Sequence, residues 1–155
     1  MADHTLLTIA SLFLAGLLAG EEFVIRYGVR DAIDVLDDVA HIELRQALIR
    51  RLRVLVPALY APTALSAVAV AVLERGQPGF ALWCLGVAAL AVWFGITMFG
   101  TVPINEAAFE WVPTAPPSNW RSLVARWEQL NTVRCWAAVL AFAAFAAAVA
   151  RVLAG

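Results

Sequence analysis

The segment Gly100–Trp111 reads GTVPINEAAFEW and marks the place where a long apolar run gives way to polar residues. Pro103 lies at this boundary. Because proline lacks a backbone N–H and its ring clashes with the preceding turn, it predicts a break or kink in a helix there. Asn105 and Glu106 follow at once. We therefore expect the chain to leave an apolar environment here and to place polar side chains at the boundary.

The composition of the whole chain is that of an integral membrane protein. Of its 155 residues, 63% are hydrophobic, and the mean hydropathy is +0.80. Only 15% of the residues are charged, whereas a soluble domain usually has about 25%. The formal net charge of -1 gives no reason to expect a nucleic-acid partner. The lipid bilayer is therefore the expected surroundings of this protein.

Four apolar runs each approach the length of about 20 residues that crosses a bilayer as a helix. They cover about residues 5–25, 54–73, 80–102 and 132–153. A helix satisfies its backbone polar groups within lipid, whereas an open sheet does not, and the runs lack the alternation of barrel strands. We therefore predict an all-α fold in which residues 1–155 form a single membrane domain, a four-helix transmembrane bundle.

Two of the helices are expected to extend beyond their apolar runs. Neither glycine nor proline interrupts residues 31–56 or residues 118–153, so helices 2 and 4 should begin outside the bilayer. The two long loops hold most of the arginines, namely Arg26, Arg30, Arg45, Arg50, Arg51, Arg53, Arg121 and Arg126. The positive-inside rule then predicts a multi-pass protein of a bacterial-type inner membrane, with cytoplasmic long loops and extensions and with both termini outside.

This topology brings polar residues from distant parts of the chain to one membrane face. Glu21 and Glu22 end helix 1 there, Asn105 and Glu106 follow helix 3, and Arg134 begins helix 4. Charged groups within a bilayer usually face a partner or a cavity. Two interpretations of Arg134 stay open: a structural ion pair with Glu21 or Glu106, and a catalytic group. Glu21 and Glu22 either face a cavity or simply mark the interface.

One face of helix 4 carries the remaining polar pattern. Trp120, Trp127 and Arg134 recur every seven residues, with Asn131 between them. We expect Trp127, Asn131 and Arg134 to face the bundle interior, because lipid would penalise them. We interpret Trp120 as an interface anchor. On the extension of helix 2, His41 is expected to be a solvated or ion-paired surface histidine.

Two segments carry a family resemblance. The residues GTVPINEAAFEW after helix 3 and RWEQLNTVRCW at Arg126–Trp136 resemble the anthrone oxygenase-like family of small four-helix membrane proteins. That family has Pro-x-Asn after helix 3, matched by Pro103 and Asn105. A Trp, a polar residue and an Arg follow at the start of helix 4, matched by Trp127, Asn131 and Arg134. Many members have histidine at the position of Asn131, so the resemblance implies no base there.

The resemblance implies oxidation of a planar, lipophilic anthrone to a quinone with dioxygen. Such chemistry needs a base for the activated methylene carbon and donors for the resulting oxyanion. Glu106 or Glu21 is then expected to be the base, and Arg134, with Asn105 or Asn131, to hold the oxyanion. Trp111, Trp127 and Phe109 are expected to stack on the aromatic rings. The scheme itself needs no redox metal.

A non-catalytic membrane protein is the alternative, either an accessory subunit or a binder of a cofactor such as haem. A haem site would centre on His41 alone or at a dimer interface, because the other histidine, His4, is expected at the opposite membrane face. A homo-oligomer is compatible with either function. A haem absorption band in the purified protein would favour the alternative or a haem-dependent oxygenase.

Overall fold

Four long helices make up residues 5–153, the part of the chain that this computed structural model describes. They are α1 (Thr5–Asp34), α2 (Asp38–Leu73), α3 (Phe80–Phe109) and α4 (Trp120–Leu153). Within residues 5–153 there is no strand. Each helix is long and apolar enough to cross a membrane, as in a multi-pass membrane protein. The prediction of an all-α fold with four such helices is confirmed.

The helices are longer than their apolar runs. α2 has 36 residues and α4 has 34, which at about 1.5 Å per residue gives roughly 50 Å, well beyond a hydrocarbon core of about 30 Å. The carboxylate of Asp37 caps α2 by accepting a hydrogen bond from the amide of Ala40, at 2.9 Å. Beyond their predicted membrane-spanning runs, α1 and α3 also continue as helix, to Asp34 and Phe109.

Two π-helical turns interrupt the helices that were expected to end early. One covers Ile25–Val29 in α1 and the other covers Thr97–Thr101 in α3. Of the break or kink expected at Pro103, the break is absent, since α-helix resumes over Val102–Phe109. The proline ring normally clashes with the carbonyl four residues earlier. That residue is Phe99, which lies within the wider turn, so the helix accommodates the proline without ending.

One end of the bundle is closed by small residues. Trp83 of α3 stacks on Phe145 of α4, with ring centroids 4.5 Å apart. A Cβ atom added at Gly86 would lie 2.1 Å from the ring of Phe145, so only glycine allows this approach. The same buried cluster contains several alanines, namely Ala67, Ala89, Ala138, Ala141 and Ala148. We call this region, with Gly86 and the Trp83–Phe145 pair, the alanine-rich end.

Candidate functional site

The opposite half of the bundle holds a cavity of about 500 Å³. Its walls come from all four helices, within residues 21–34, 45–60, 93–109 and 127–134. Both π-helical turns contribute side chains to it, including Ile25 and Thr101. Such turns are frequently found at functional sites. Much of the lining is apolar and includes Leu48, Leu52, Val56, Phe94, Met98 and Val102.

Arg134 is the best-anchored charged group in this cavity. It is 7% exposed and forms an ion pair with Glu22, while its Nη1 donates to the hydroxyl of Thr101 at 3.2 Å. The indole Nε1 of Trp93 donates to the same carboxylate of Glu22 at 3.0 Å. The guanidinium also lies 4.6 Å from the centroid of the Trp93 ring. Contacts from α1 and α3 therefore fix the position of this α4 side chain before any ligand binds.

The partner of Arg134 differs from the two carboxylates considered from sequence. Glu22, only 1% exposed, forms the ion pair, whereas the structure shows no such pair with Glu21 or Glu106. Glu21 is half-buried and lines the cavity. Glu106 also lines it but is exposed. Glu21 therefore remains available as a carboxylate that Arg134 does not engage.

Several buried polar atoms of the cavity residues have no hydrogen-bond partner within residues 5–153. They are Glu21 Oε2, Glu22 Oε2, Arg45 Nε, Asn105 Oδ1, Trp127 Nε1 and Arg134 Nε. Buried polar groups are normally hydrogen-bonded, and each exception in a native protein calls for an explanation. Donors and acceptors gathered within an otherwise apolar cavity are suited to a ligand with a flat apolar body and polar edges.

The polar residues on one face of α4 point into the bundle, as predicted. Asn131 is 2% exposed, and Asn131, Trp127 and Arg134 all line the cavity. Their inward orientation is confirmed. Asn105, from the Pro-x-Asn segment, lines the same cavity. The structure therefore brings the two segments that carry the family resemblance to one site, although it does not test the role of any residue.

The aromatic walls are only partly those expected. Phe109 lines the cavity, as Trp127 does, but Trp111 does not. Instead Tyr60 stacks on Trp93, with centroids 4.6 Å apart and planes 14° apart. Tyr60 and Trp93 lie in uncharged apolar runs, where nothing in sequence separates a cavity wall from a lipid-facing or core aromatic. Their place in the cavity beside Arg134 depends on how the helices pack together, and that packing cannot be derived from the sequence alone.

Trp111 belongs to a second apolar cluster near the start of α4. It packs edge-on against Trp120, which is 5% exposed and hence not the interface anchor we expected. His41 meets the Trp120 ring edge-on at 5.3 Å and is 7% exposed, so its prediction as a surface histidine was wrong. Gln46 ties this cluster to the end of α3 by donating to the carbonyls of Ala108 and Trp111.

The structure gives the haem alternative no support. His41 lines a separate, smaller cavity of about 300 Å³ and does not reach the large one. His4 lies outside the described residues. Within residues 5–153, no group of three or more His, Cys, Asp or Glu side chains is arranged to hold a metal ion.

A protein-family model described as "Anthrone oxygenase" matches residues 46–144, more than half of the chain. The matched range includes Asn105, Asn131 and Arg134, but it leaves out α1 and therefore both Glu21 and Glu22. No curated protein and no solved structure matches the chain. The family match thus covers cavity residues of α2, α3 and α4, whereas the cavity residues of α1 lie outside it.

Proposed function

Because the chain belongs to the anthrone oxygenase family, we propose that it is a membrane oxygenase that oxidises a planar, lipophilic aromatic of the anthrone type with dioxygen. One observation carries the proposal: a buried, immobilised Arg134 lines a largely apolar cavity of about 500 Å³ and keeps an unpartnered Nε. A cavity of that size is within the usual range for small-molecule sites. The proposal assigns roles to residues by what each is free to do.

Glu21 is the proposed base. Its Oε2 is buried without a hydrogen-bond partner, whereas Glu22 is engaged by Arg134 and Trp93. Glu21 removes a proton from the methylene carbon of the anthrone and leaves an aromatic enolate. Glu106, the other candidate from sequence, is exposed and therefore less suited to a step that needs exclusion of water.

Arg134 is the proposed stabiliser of the enolate oxygen. Its Nη atoms already donate to Glu22 and Thr101, and its Nε, which has no partner within residues 5–153, is the proposed donor to the developing negative charge. Asn105 and Asn131 line the same cavity, and they are the proposed groups that orient phenolic groups of the substrate. Trp127, Phe109 and the stacked Tyr60–Trp93 pair hold the planar rings.

The overall reaction balances without a further reductant. The enolate carbon gives its electrons to dioxygen, and the peroxide formed at that carbon loses water. Two hydrogens of the methylene carbon are thereby replaced by one oxygen atom, while the second oxygen atom of dioxygen leaves as water. The product is the quinone, and one molecule of dioxygen is consumed for each quinone formed.

The first test measures this stoichiometry on the purified protein in lipid nanodiscs. We expect a hydroxylated anthrone to be converted to its quinone well above the spontaneous rate, with equal amounts of dioxygen taken up and quinone formed. Glu21→Gln should lower kcat by about 10²–10⁴-fold, the usual contribution of a general base. Glu106→Gln should lower kcat much less. Conversion at the spontaneous rate by the folded wild type would contradict the proposal.

We also propose that the cavity opens at the cytoplasmic side of a bacterial-type inner membrane. Support comes from the eight arginines that lie between the apolar runs on this side, within residues 26–53 and 121–126, against Arg75 and Arg151 at the other ends of the helices. A single cysteine added at either terminus, with Cys84 and Cys135 replaced by serine, should react with a membrane-impermeant maleimide from outside the cell. Labelling of both termini only after the membrane is opened would reverse the orientation.

A further inference from the structure

Arg45 is a second buried arginine of the cavity, and it has no counter-charge in contact. It is 8% exposed and lines the cavity. Within the described part of the chain it forms no ion pair and donates no hydrogen bond, and its Nε is buried without a partner. Its guanidinium lies over the ring of Trp127, whose centroid is 4.9 Å from the guanidinium carbon. An arginine buried in this way needs an anion.

The nearest carboxylates of the cavity are engaged elsewhere. Glu128 accepts a hydrogen bond from Nε of Arg30 at 2.9 Å, and Asp34 lies 3.9 Å from the same atom. Both acids line the cavity, so they soften the positive charge of Arg45 at longer range without contacting it. The planar fork of Arg45 is thus left for a ligand that presents two acceptor oxygens in a plane.

The position of Arg45 relative to Arg134 limits the shape of that ligand. Arg45 lies over Trp127, which precedes Arg134 on α4 by seven residues, or two helical turns. The two groups therefore sit about 10 Å apart along the helix axis, with Asn131 between them on the same face. That separation leaves room for a three-ring aromatic whose central-ring oxygen meets Arg134 while a substituent of one outer ring meets Arg45.

We propose that Arg45 binds a carboxylate carried on an outer ring of the substrate, away from the reacting carbon of the central ring, so that the natural substrate is a planar aromatic acid. The inference rests on the proposed function for the identity of the rings, but not for the anion. Arg45 supplies two parallel N–H donors to the carboxylate, and Trp127 keeps the guanidinium plane aligned. Neutral aromatics of the same shape make the ring contacts but lack the ion pair with Arg45, so they bind more weakly.

The test uses binding rather than turnover. The ligands are an anthraquinone carboxylate and its primary carboxamide. They have the same shape, resemble the product and have no methylene carbon left to oxidise. Dissociation constants are measured by equilibrium dialysis against the protein in nanodiscs at neutral pH. We expect wild type to bind the carboxylate about tenfold more tightly than the amide, as a charge-assisted pair allows. Arg45→Met should bring that ratio close to one, and Arg45→Lys should retain part of it.

Arg50→Met is the matched control, because Arg50 lies on the same helix but is exposed and outside the cavity. It should keep the tenfold preference. A full preference in Arg45→Met, or no preference in wild type, would overturn the proposal, and the wild-type ratio decides even if Arg45→Met does not fold. A carboxylate preference in a protein that oxidises no anthrone would leave the Arg45 site standing and refute only the oxygenase. Anthrone oxidation by a protein that shows no carboxylate preference would leave the oxygenase standing and refute only the Arg45 site.

Discussion

The two ends of this bundle are built from the same four helices but from different kinds of residue. At the alanine-rich end, Gly86 lets α3 and α4 approach until Phe145 touches the helix backbone. At the other end, two π-helical turns, two buried arginines and several aromatic rings surround a cavity of about 500 Å³. Close packing at one end allows the helices to hold open a largely apolar cavity with buried polar groups at the other.

The comparison separates stability from chemistry. Small residues at the closed end maximise contact between helices, which is the main source of attraction where lipid is as apolar as the side chains. The cavity end contains polar atoms without partners, and such atoms make a structure less stable unless a ligand satisfies them. Substitutions at the closed end should therefore alter unfolding, whereas those at the cavity should alter binding and turnover.

The Glu22–Arg134 pair lies at the cavity but should affect both stability and turnover. Glu22→Ala leaves the guanidinium of Arg134 buried without its counter-charge, and we expect it to lower the free energy of unfolding by about 3–5 kcal/mol. Denaturant unfolding followed by circular dichroism measures the change. Glu43→Ala, an exposed carboxylate on α2, is the control and should have little effect. A Glu22→Leu, Arg134→Met double variant should recover most of the stability, and failure to do so would show that charge pairing is not the cause.

Gly86→Ala should have the next largest effect and should act on stability alone. The added Cβ would meet the ring of Phe145 at 2.1 Å, and overpacking of this kind typically costs about 1–3 kcal/mol. Gly95→Ala on the same helix is the matched control, because a Cβ there meets nothing within 4 Å. Affinity for the quinone should not change in either variant at temperatures well below unfolding. Equal stability of the two variants would contradict the packing at the closed end.

Tyr60→Phe should have the smallest effect. Its hydroxyl donates to the carbonyl of Leu90 at 3.1 Å, and loss of one such bond costs about 1 kcal/mol. The ring that stacks on Trp93 remains, so KM for the aromatic should change little. Tyr60→Ala removes the ring as well and should raise KM clearly. Equal KM values for the two variants would show that this wall does not contact substrate.

The sequence predicts the four helices and the inward face of α4 well, since both depend on composition and spacing along one helix. Uncharged runs such as residues 54–73 have few alternatives to a buried or lipid-facing helix. Trp127, Asn131 and Arg134 lie on a common stripe whatever the neighbours are. Their shared position on the cavity wall could therefore be predicted without knowing the packing.

What the sequence does not predict is which residues meet across helices. Glu21 and Glu22 are adjacent and identical, so only the rotation of α1 decides that Glu22 contacts Arg134. The π-helical turns have no simple sequence signal, and they change which face of α1 and α3 each later residue occupies. Arg45 likewise resembles any arginine of a charged helical extension until Trp127 is found beneath it.

The most direct test of the central claim is the turnover of Arg134→Lys. Lysine keeps the positive charge near Glu22 but loses the planar donor fork. The account predicts that the variant remains folded and inserted while kcat for anthrone oxidation falls by about 10²–10³-fold, the usual loss of one oxyanion donor. Arg151→Lys, at an exposed position near the other end of α4, should match wild type. Wild-type turnover in folded Arg134→Lys would show that Arg134 is only half of a structural ion pair.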